Sequence, residues 1–262
     1  MTSPPSTGSR WPLAVVVGSC VLAVVQMRGA IPGYVEWYLW LREQGVPKPI
    51  CGLDAPLLLL LGAWLGARLA TGRGRVSSVL GLAGSWREGL AFGLLAGTPM
   101  LLQGWIGRSD VDLSSSTARA IVAMPFAEEV FFRGLLVFIP VAVGGCRFWT
   151  TAILAGLLFG SLHVPWDPSM LSWGDFAEFA VATAGGIWYA WIGRCFRWSL
   201  WPTIVLHGAM NAAWVIFGID DTAAGGLWPN VGRGLTIAAG TVLALRHTKR
   251  TLRGEGGRGS LS

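Results

Sequence analysis

The chain has 262 residues, of which 53% are hydrophobic and only 13% charged, with a mean hydropathy of +0.54. An ordinary soluble domain carries about 25% charged residues, so this composition excludes a disordered chain, a soluble α/β enzyme and a nucleic-acid module, and calls for lipid as the main solvent. The net charge of +6 does not alter this: 18 of the 20 basic residues are Arg and mostly flank apolar runs, the pattern of membrane loops and not of a basic binding stripe.

Residues 1–10 (MTSPPSTGSR) are polar and rich in Pro and Ser, and read as a disordered N-terminus. Trp11 to Met27 is uncharged between Arg10 and Arg28; with no clear A-x-A cleavage site after it, a retained first span fits better than a signal peptide. The aromatic segment 29–41 contains Glu36 and is short, which suits an interfacial or re-entrant piece. Further spans are expected at about 50–70, 88–107, 118–143, 147–165, 175–196, 199–219 and 229–246. At about 20 residues per span, eight spans leave only short connectors. The predicted fold is therefore an all-α membrane protein, a polytopic bundle of about eight transmembrane helices over 11–246, followed by a basic flexible tail at 247–262. The 37 glycines and 15 tryptophans agree, since glycine lets membrane helices approach closely and tryptophan prefers the bilayer interface. The four cysteines form no CxxC pair and no metal spacing, and read as small apolar residues.

With eight spans, one side of the membrane receives 13 Arg and Lys residues and the other 6, while the poorer side also receives Asp110, Asp112, Asp167, Asp175, Asp220 and Asp221. This places both termini in the cytoplasm. It also supports the last span, without which the basic tail would lie on the wrong side. Trp166 and Trp173, in the connector after the fifth span, read as interface anchors.

Several polar residues fall where lipid would surround them. The fourth span, AIVAMPFAEEVFFRGLLVFIPVA, holds Glu128, Glu129 and Arg133 near its middle. A buried charge costs about 2.5–3.5 kcal/mol on insertion scales. Glu129 and Arg133 are four apart on one face and can neutralise each other. Glu128, about 100° around the helix, is left to face something else. A charge cluster that only fixes helix packing would not need this second carboxylate. The fifth span ends on His163, one turn after Phe159, and the seventh carries His207 and Asn211 four apart on a shared face. Taken singly, each is consistent with interhelical hydrogen bonding. Together, a carboxylate, two imidazoles and a carboxamide inside lipid need one another or water, so spans four, five and seven are expected to enclose one polar cavity. His247, in the basic tail, is incidental.

Such a set can hydrolyse a peptide bond in two ways. A buried carboxylate can act as general base on water while His163, His207 and Asn211 donate to the oxyanion. Alternatively His163, His207 and Asn211 can hold a divalent metal, zinc by preference, that activates the water. No H-E-x-x-H or G-x-S-x-G motif and no serine–histidine set is present.

EEVFFRG (Glu128 to Gly134) resembles the E-E-x-x-x-R motif of the CPBP intramembrane proteases, the family of the CAAX prenyl endopeptidases and bacteriocin-processing or immunity proteins often called Abi. FGSLH (Phe159 to His163) resembles its F-x-x-x-H motif and HGAMN (His207 to Asn211) its H-x-x-x-N motif, in the same order and spacing, over about residues 117–219. The resemblance implies an intramembrane endopeptidase in which Glu128 is the base that activates water. It makes His163, His207 and Asn211 site-lining groups, as metal ligands or as oxyanion and water-positioning groups, and makes Glu129 and Arg133 supporting residues. It implies a membrane-associated or lipid-anchored protein or peptide as substrate, membrane lipid as partner and no nucleic acid. The family is described both as metalloproteases and as glutamate-type proteases, and both remain open here. The expected location is a bacterial cytoplasmic membrane. CAAX proteases cut from the cytosolic side, whereas the topology above puts the site in the middle-to-outer half of the membrane. Trimming of exported peptides or of C-terminal membrane anchors fits that position. Two other readings use the same residues: a non-catalytic membrane peptide-binding or immunity protein, and a small transporter or proton relay. The second of these lacks an evident inverted repeat.

Overall fold

The computed structural model describes residues 18, 40–45, 53–72, 74–107, 111, 113–165, 171–219 and 225–256. The expected first span and nearly all of the aromatic segment at 29–41 lie outside the described residues, as do residues 1–10 and Trp166. The described residues are all-helical, with no strand. Seven long helices follow one another: α1 (Asp54–Thr71), α2 (Trp86–Gly107), α3 (115–142), α4 (Phe148–Ser161), α5 (Trp173–Cys195), α6 (Trp201–Phe217) and α7 (Leu227–Gly256). Each coincides with an expected span from 50–70 onward. By length and composition, one of the described helices, α2, is long and apolar enough to cross a membrane; α1 and α4 are apolar but shorter.

Two boundaries differ from expectation. α7 continues through Gly256, so most of the segment expected as a flexible tail is helical. At the start of this segment His247 stacks on Phe196, at the end of α5, with ring centroids 4.0 Å apart, and within α7 Thr248 Oγ1 donates to Ala244 O. Basic residues near a helix C-terminus also favour the helix over a coil. The second difference is the winding of α3, which contains two π-helical stretches, Arg119–Ala123 and Glu129–Phe138. Hydrophobic periodicity does not reveal such widened turns, which are frequent where a helix carries functional side chains. Every residue of Glu129–Phe138 is buried, making α3 the central element of the core.

Glycine governs how closely the helices pack. Gly89, Gly93 and Gly97 form one stripe of α2 at four-residue spacing. A Cβ at Gly93 would fall 2.5 Å from Val205 Cγ1 and one at Gly97 2.9 Å from the Ala209 Cβ, so α2 rests directly on α6. This is small-xxx-small packing, in which missing side chains let backbones approach and gain dispersion contacts. Gly156 of α4 and Gly186 of α5 do the same at another crossing, where a Cβ on Gly186 would lie 3.2 Å from the Gly156 Cα. α7 is tied to the same group of helices by polar contacts. Met100 N–H, in the turn after Pro99, donates to Thr236 Oγ1 at 3.3 Å, and Trp188 Nε1 donates to Thr241 Oγ1 at 3.1 Å. The start of α5 is set by a capping box in which Ser172 N donates to Asp175 Oδ2 and Asp175 N to Ser172 Oγ.

The outer surface carries many large apolar side chains, including Leu61, Leu69, Leu95, Ile106 and Leu154, each at least 50% exposed. Water would not tolerate so extensive an apolar belt on a monomer, whereas hydrocarbon does.

The glycine stripe generates a stability prediction. Gly93→Leu drives a branched side chain into the α6 backbone and is expected to prevent accumulation of folded protein or lower its melting temperature sharply. Gly234→Ala, at a position with open space around it, is expected to be neutral or stabilising by up to about 1 kcal/mol. Thermal unfolding of both variants in detergent, followed by tryptophan fluorescence, checks the contrast.

Candidate active site

Four helices bring the polar residues together. α3 contributes Glu128, Glu129 and Arg133; α4 contributes Phe159, and the turn that follows it His163; α6 contributes His207 and Asn211; α5 contributes Tyr189 and the Gly186 carbonyl. The juxtaposition of α3, α4 and α6 corresponds to that expected of spans four, five and seven.

The pairing begins at Glu129, whose side chain is 0% exposed. Its Oε1 lies 3.2 Å from Arg133 Nη1, one turn along α3, and accepts from His207 Nδ1 at 3.0 Å. A carboxylate can only accept, so the hydrogen is on Nδ1, and the other ring nitrogen is turned toward Glu128, with Nε2 3.7 Å from Glu128 Oε2. Thus Glu129 orients His207, and His207 faces Glu128. Arg133 is close enough to Glu129 for charge neutralisation but is not aligned for a hydrogen bond. Among the described residues, its terminal nitrogens and Glu129 Oε2 have no hydrogen-bond partner. Arg133 Nε instead donates to Gly186 O at 3.4 Å, and the guanidinium lies over the Phe159 and Tyr189 rings, with Cζ 4.5 and 5.4 Å from their centroids. Cation–π attraction between ring faces and a desolvated guanidinium helps to hold a buried charge.

His163 is fixed in a comparable way. Its Nδ1 is 2.9 Å from Phe159 O, one turn back, and its ring packs on the Phe159 ring at 4.6 Å. A carbonyl only accepts, so Nδ1 carries the hydrogen and Nε2 is left for other chemistry. Asn211 Nδ2 donates to Ala120 O of α3 at 2.9 Å, which joins α6 to the first π-helical stretch. His163, His207 and Asn211 line one cavity of about 530 Å³, whose other walls come from α2, α5, α6 and α7 and are mainly apolar. Glu128 is outside this wall; its carboxylate approaches through His207 and is buried, with 8% of the residue exposed.

The expected metal set can be compared with this geometry. His163 and His207 each have one ring nitrogen committed to a protein oxygen, and the Asn211 amide is bonded to backbone. Among the described residues, no group of three or more His, Cys, Asp or Glu side chains is placed to hold a metal ion. The bonds at Nδ1 leave both Nε2 nitrogens available, as in metal-binding histidines that donate their other ring N–H to a carbonyl or carboxylate, so His163 and His207 could serve as two ligands of a divalent ion.

Sequence reasoning located α5 as a span but missed its contribution to the site. Tyr189 and Gly186 lie in the span WGDFAEFAVATAGGIWYAWIGRC, which carries no ionisable residue near its middle. Its one signal was a Tyr among apolar residues, a phenol that needs a partner when buried.

Residues 111–213 match the family described as type II CAAX prenyl endopeptidase Rce1-like. This stretch is 103 of the 262 residues and contains all three motifs. No curated protein and no solved structure matches the chain. The stretch is thus similar to the CAAX proteases, and the resemblance read from Glu128–Gly134, Phe159–His163 and His207–Asn211 is borne out. α1, α2 and α7 lie wholly outside the matched stretch, so the parts of the cavity wall formed by Met100, Arg233 and Ile237 come from beyond it.

The ion pair yields a prediction on stability. Arg133→Ala leaves the Glu129 carboxylate buried without its cation and is expected to destabilise the fold by about 3–5 kcal/mol. Arg133→Ala combined with Glu129→Ala, which removes both charges, is expected to regain part of that loss. Melting temperatures of the two variants in detergent test the coupling.

Proposed function

We propose that this protein is an intramembrane endopeptidase that hydrolyses a peptide bond of a membrane-associated or lipid-anchored protein or peptide with water activated by Glu128. The observation that carries the reading is the connected set Arg133–Glu129–His207–Glu128 beside a cavity that His163 also lines. In this set one carboxylate is paired with Arg133 and bonded to His207, while the other faces the opposite nitrogen of the same imidazole.

The proposed reaction uses the chain's own groups. Glu128, within electrostatic reach of both His207 and His163, takes a proton from water as the water oxygen bonds to the scissile carbonyl carbon. The carbonyl π electrons move to its oxygen. The tetrahedral species collapses, the C–N bond breaks, and Glu128 returns the proton to the leaving amine. Glu129 holds His207 in one tautomer and orientation, as the aspartate of a hydrolytic triad holds its histidine. Asn211 keeps α6 in register with α3. The apolar cavity wall would receive the side chains next to the scissile bond or the anchor of the substrate.

The proposed setting is a bacterial cytoplasmic membrane, with both termini cytoplasmic and about eight spans. The connectors 72–85, 143–147 and 196–200 carry four Arg and no acid, whereas 108–114, 162–172 and 218–226 carry one Arg and five Asp. The three basic connectors meet: Leu200 N donates to Gly81 O, and Trp198 packs on Phe148. Under the positive-inside rule that end is cytoplasmic. His163, at the opposite end of α4 from Arg147, then lies toward the outer face, which supports an exported peptide or a C-terminal anchor as substrate.

Glu128→Gln keeps the side chain's shape but removes the base, so it is expected to abolish cleavage while the protein accumulates normally; His163→Ala is expected to do the same. Comparing protein termini in membranes from strains with the native protein or Glu128→Gln checks this. Termini seen only with the native protein support proteolysis. Identical termini, with Glu128→Gln rescuing the phenotype of a deletion, would sink it in favour of peptide binding.

A further inference from the structure

The end of α7 carries charge that the candidate site does not use. The helix does not stop with its apolar stretch but continues to Gly256, and from residue 246 to 253 it holds Arg246, Lys249, Arg250 and Arg253 and no acid. At 3.6 residues per turn these four fall within an arc of about 100°. All four are exposed, whereas Ala244 is buried and His247, Thr248 and Thr251 half-buried on the other side of the helix. Among the described residues, no acid is ion-paired with any of the four.

Height, border and rotation indicate what faces this arc. From Arg246 to Arg253 the helix rises about 10 Å, which carries the cations from the end of the expected span through the polar layer outside a hydrocarbon core about 30 Å thick. Leu245 and Leu252 border the arc on one edge and are 47% and 63% exposed; such side chains enter the boundary between headgroups and acyl chains. The rotation of α7 is held where His247 stacks on Phe196 at 4.0 Å, so the cations are turned away from α5. Arg197, in the turn after α5, is within electrostatic reach of His247, as Arg250 is, and extends the positive surface; Glu88 of α2 is the acid within reach of the same ring.

We infer that the C-terminal end of α7 is a binding site for the headgroup of an anionic phospholipid. Arg246, Lys249, Arg250 and Arg253 meet the phosphate, arginine through its planar fork and lysine as a point charge, and Leu245 and Leu252 rest on the acyl chains. A soluble acidic protein would have to enter the headgroup layer to reach Arg246 and Lys249. Positive charge at this height is complementary to the anionic lipid of a cytoplasmic leaflet, which agrees with the orientation proposed above. The same helix supplies Arg233 and Ile237 to the cavity wall, so a headgroup bound here also fixes the depth of that wall in the membrane. The inference uses the membrane setting and not the peptidase chemistry.

The test uses the full-length protein purified in neutral detergent and titrated with phosphatidylglycerol or with phosphatidylcholine of the same chains, the bound lipids being counted by native mass spectrometry. One cation beside an anionic surface contributes about 5-fold to binding. The native protein is expected to prefer phosphatidylglycerol, and Lys249→Gln with Arg253→Gln to weaken its binding about 25-fold, with phosphatidylcholine binding and the melting temperature at native values. Arg75→Gln with Arg147→Gln removes the same charge from other connectors at that end of the bundle and is expected to leave the preference intact. Equal binding of the two lipids by the native protein overturns the inference and leaves the arc to an acidic protein. Equal losses in the two double variants also overturn it, because they assign the preference to net charge and not to this face. Should Lys249→Gln with Arg253→Gln not accumulate, Arg253→Gln alone, in the last turn of α7, is expected to weaken phosphatidylglycerol binding about 5-fold, and native affinity in that variant overturns the site.

Discussion

A carboxylate removed from water at the centre of a helix bundle must be neutralised, and the rest of this structure is arranged around how Glu129 meets that requirement. Its charge is opposed by Arg133 on the same helix, and its Oε1 also accepts from His207 on another. The Arg133 guanidinium in turn needs a carbonyl and two aromatic faces, which come from α5 and α4. One buried charge therefore recruits α3, α4, α5 and α6 in succession. Such a network is poor at adding net stability, because desolvation offsets most of the Coulomb attraction, but it restricts how the helices can be arranged relative to one another. What it orders is the histidine that faces Glu128.

Close approach makes that order attainable. Arg133 Nε donates to the Gly186 carbonyl beside the Gly156–Gly186 crossing, where a Cβ on Gly186 would lie 3.3 Å from Arg133 Nη2. On the other side of the site, the α2 glycine stripe lets α6 settle against α2, which places His207 and Asn211 at the cavity. Packing and polar chemistry are thus coupled: a helix held a few ångströms away by one added side chain would carry its polar group out of hydrogen-bond reach.

The same economy appears in the histidines. Each uses Nδ1 for orientation, one on a backbone carbonyl of its own helix and one on a carboxylate from another, and leaves Nε2 toward the site. Each ring thereby keeps its other nitrogen available at the site, a division of labour that serves a histidine bonding water and one binding a metal alike.

Helical periodicity and the few polar residues in apolar runs were enough, in the amino-acid sequence, to locate the helices from 54 onward and to single out Glu128, Glu129, Arg133, His163, His207 and Asn211. The reason is local: a charge inside an apolar helix stands out without knowledge of its neighbours, and an i,i+4 pair such as Glu129–Arg133 follows from helix geometry alone. The widened turns of α3 and the stacking of His247 on Phe196 were not legible, because both depend on what another helix presents to them. Tertiary structure alone decided that Glu129 orients His207, that Asn211 spends an amide hydrogen on α3, and that Tyr189 joins the site. Those relations hold between residues on different helices, 18 to 91 positions apart in the chain, and a sequence specifies which groups must find a partner but not, by itself, which partner lies across the crossing.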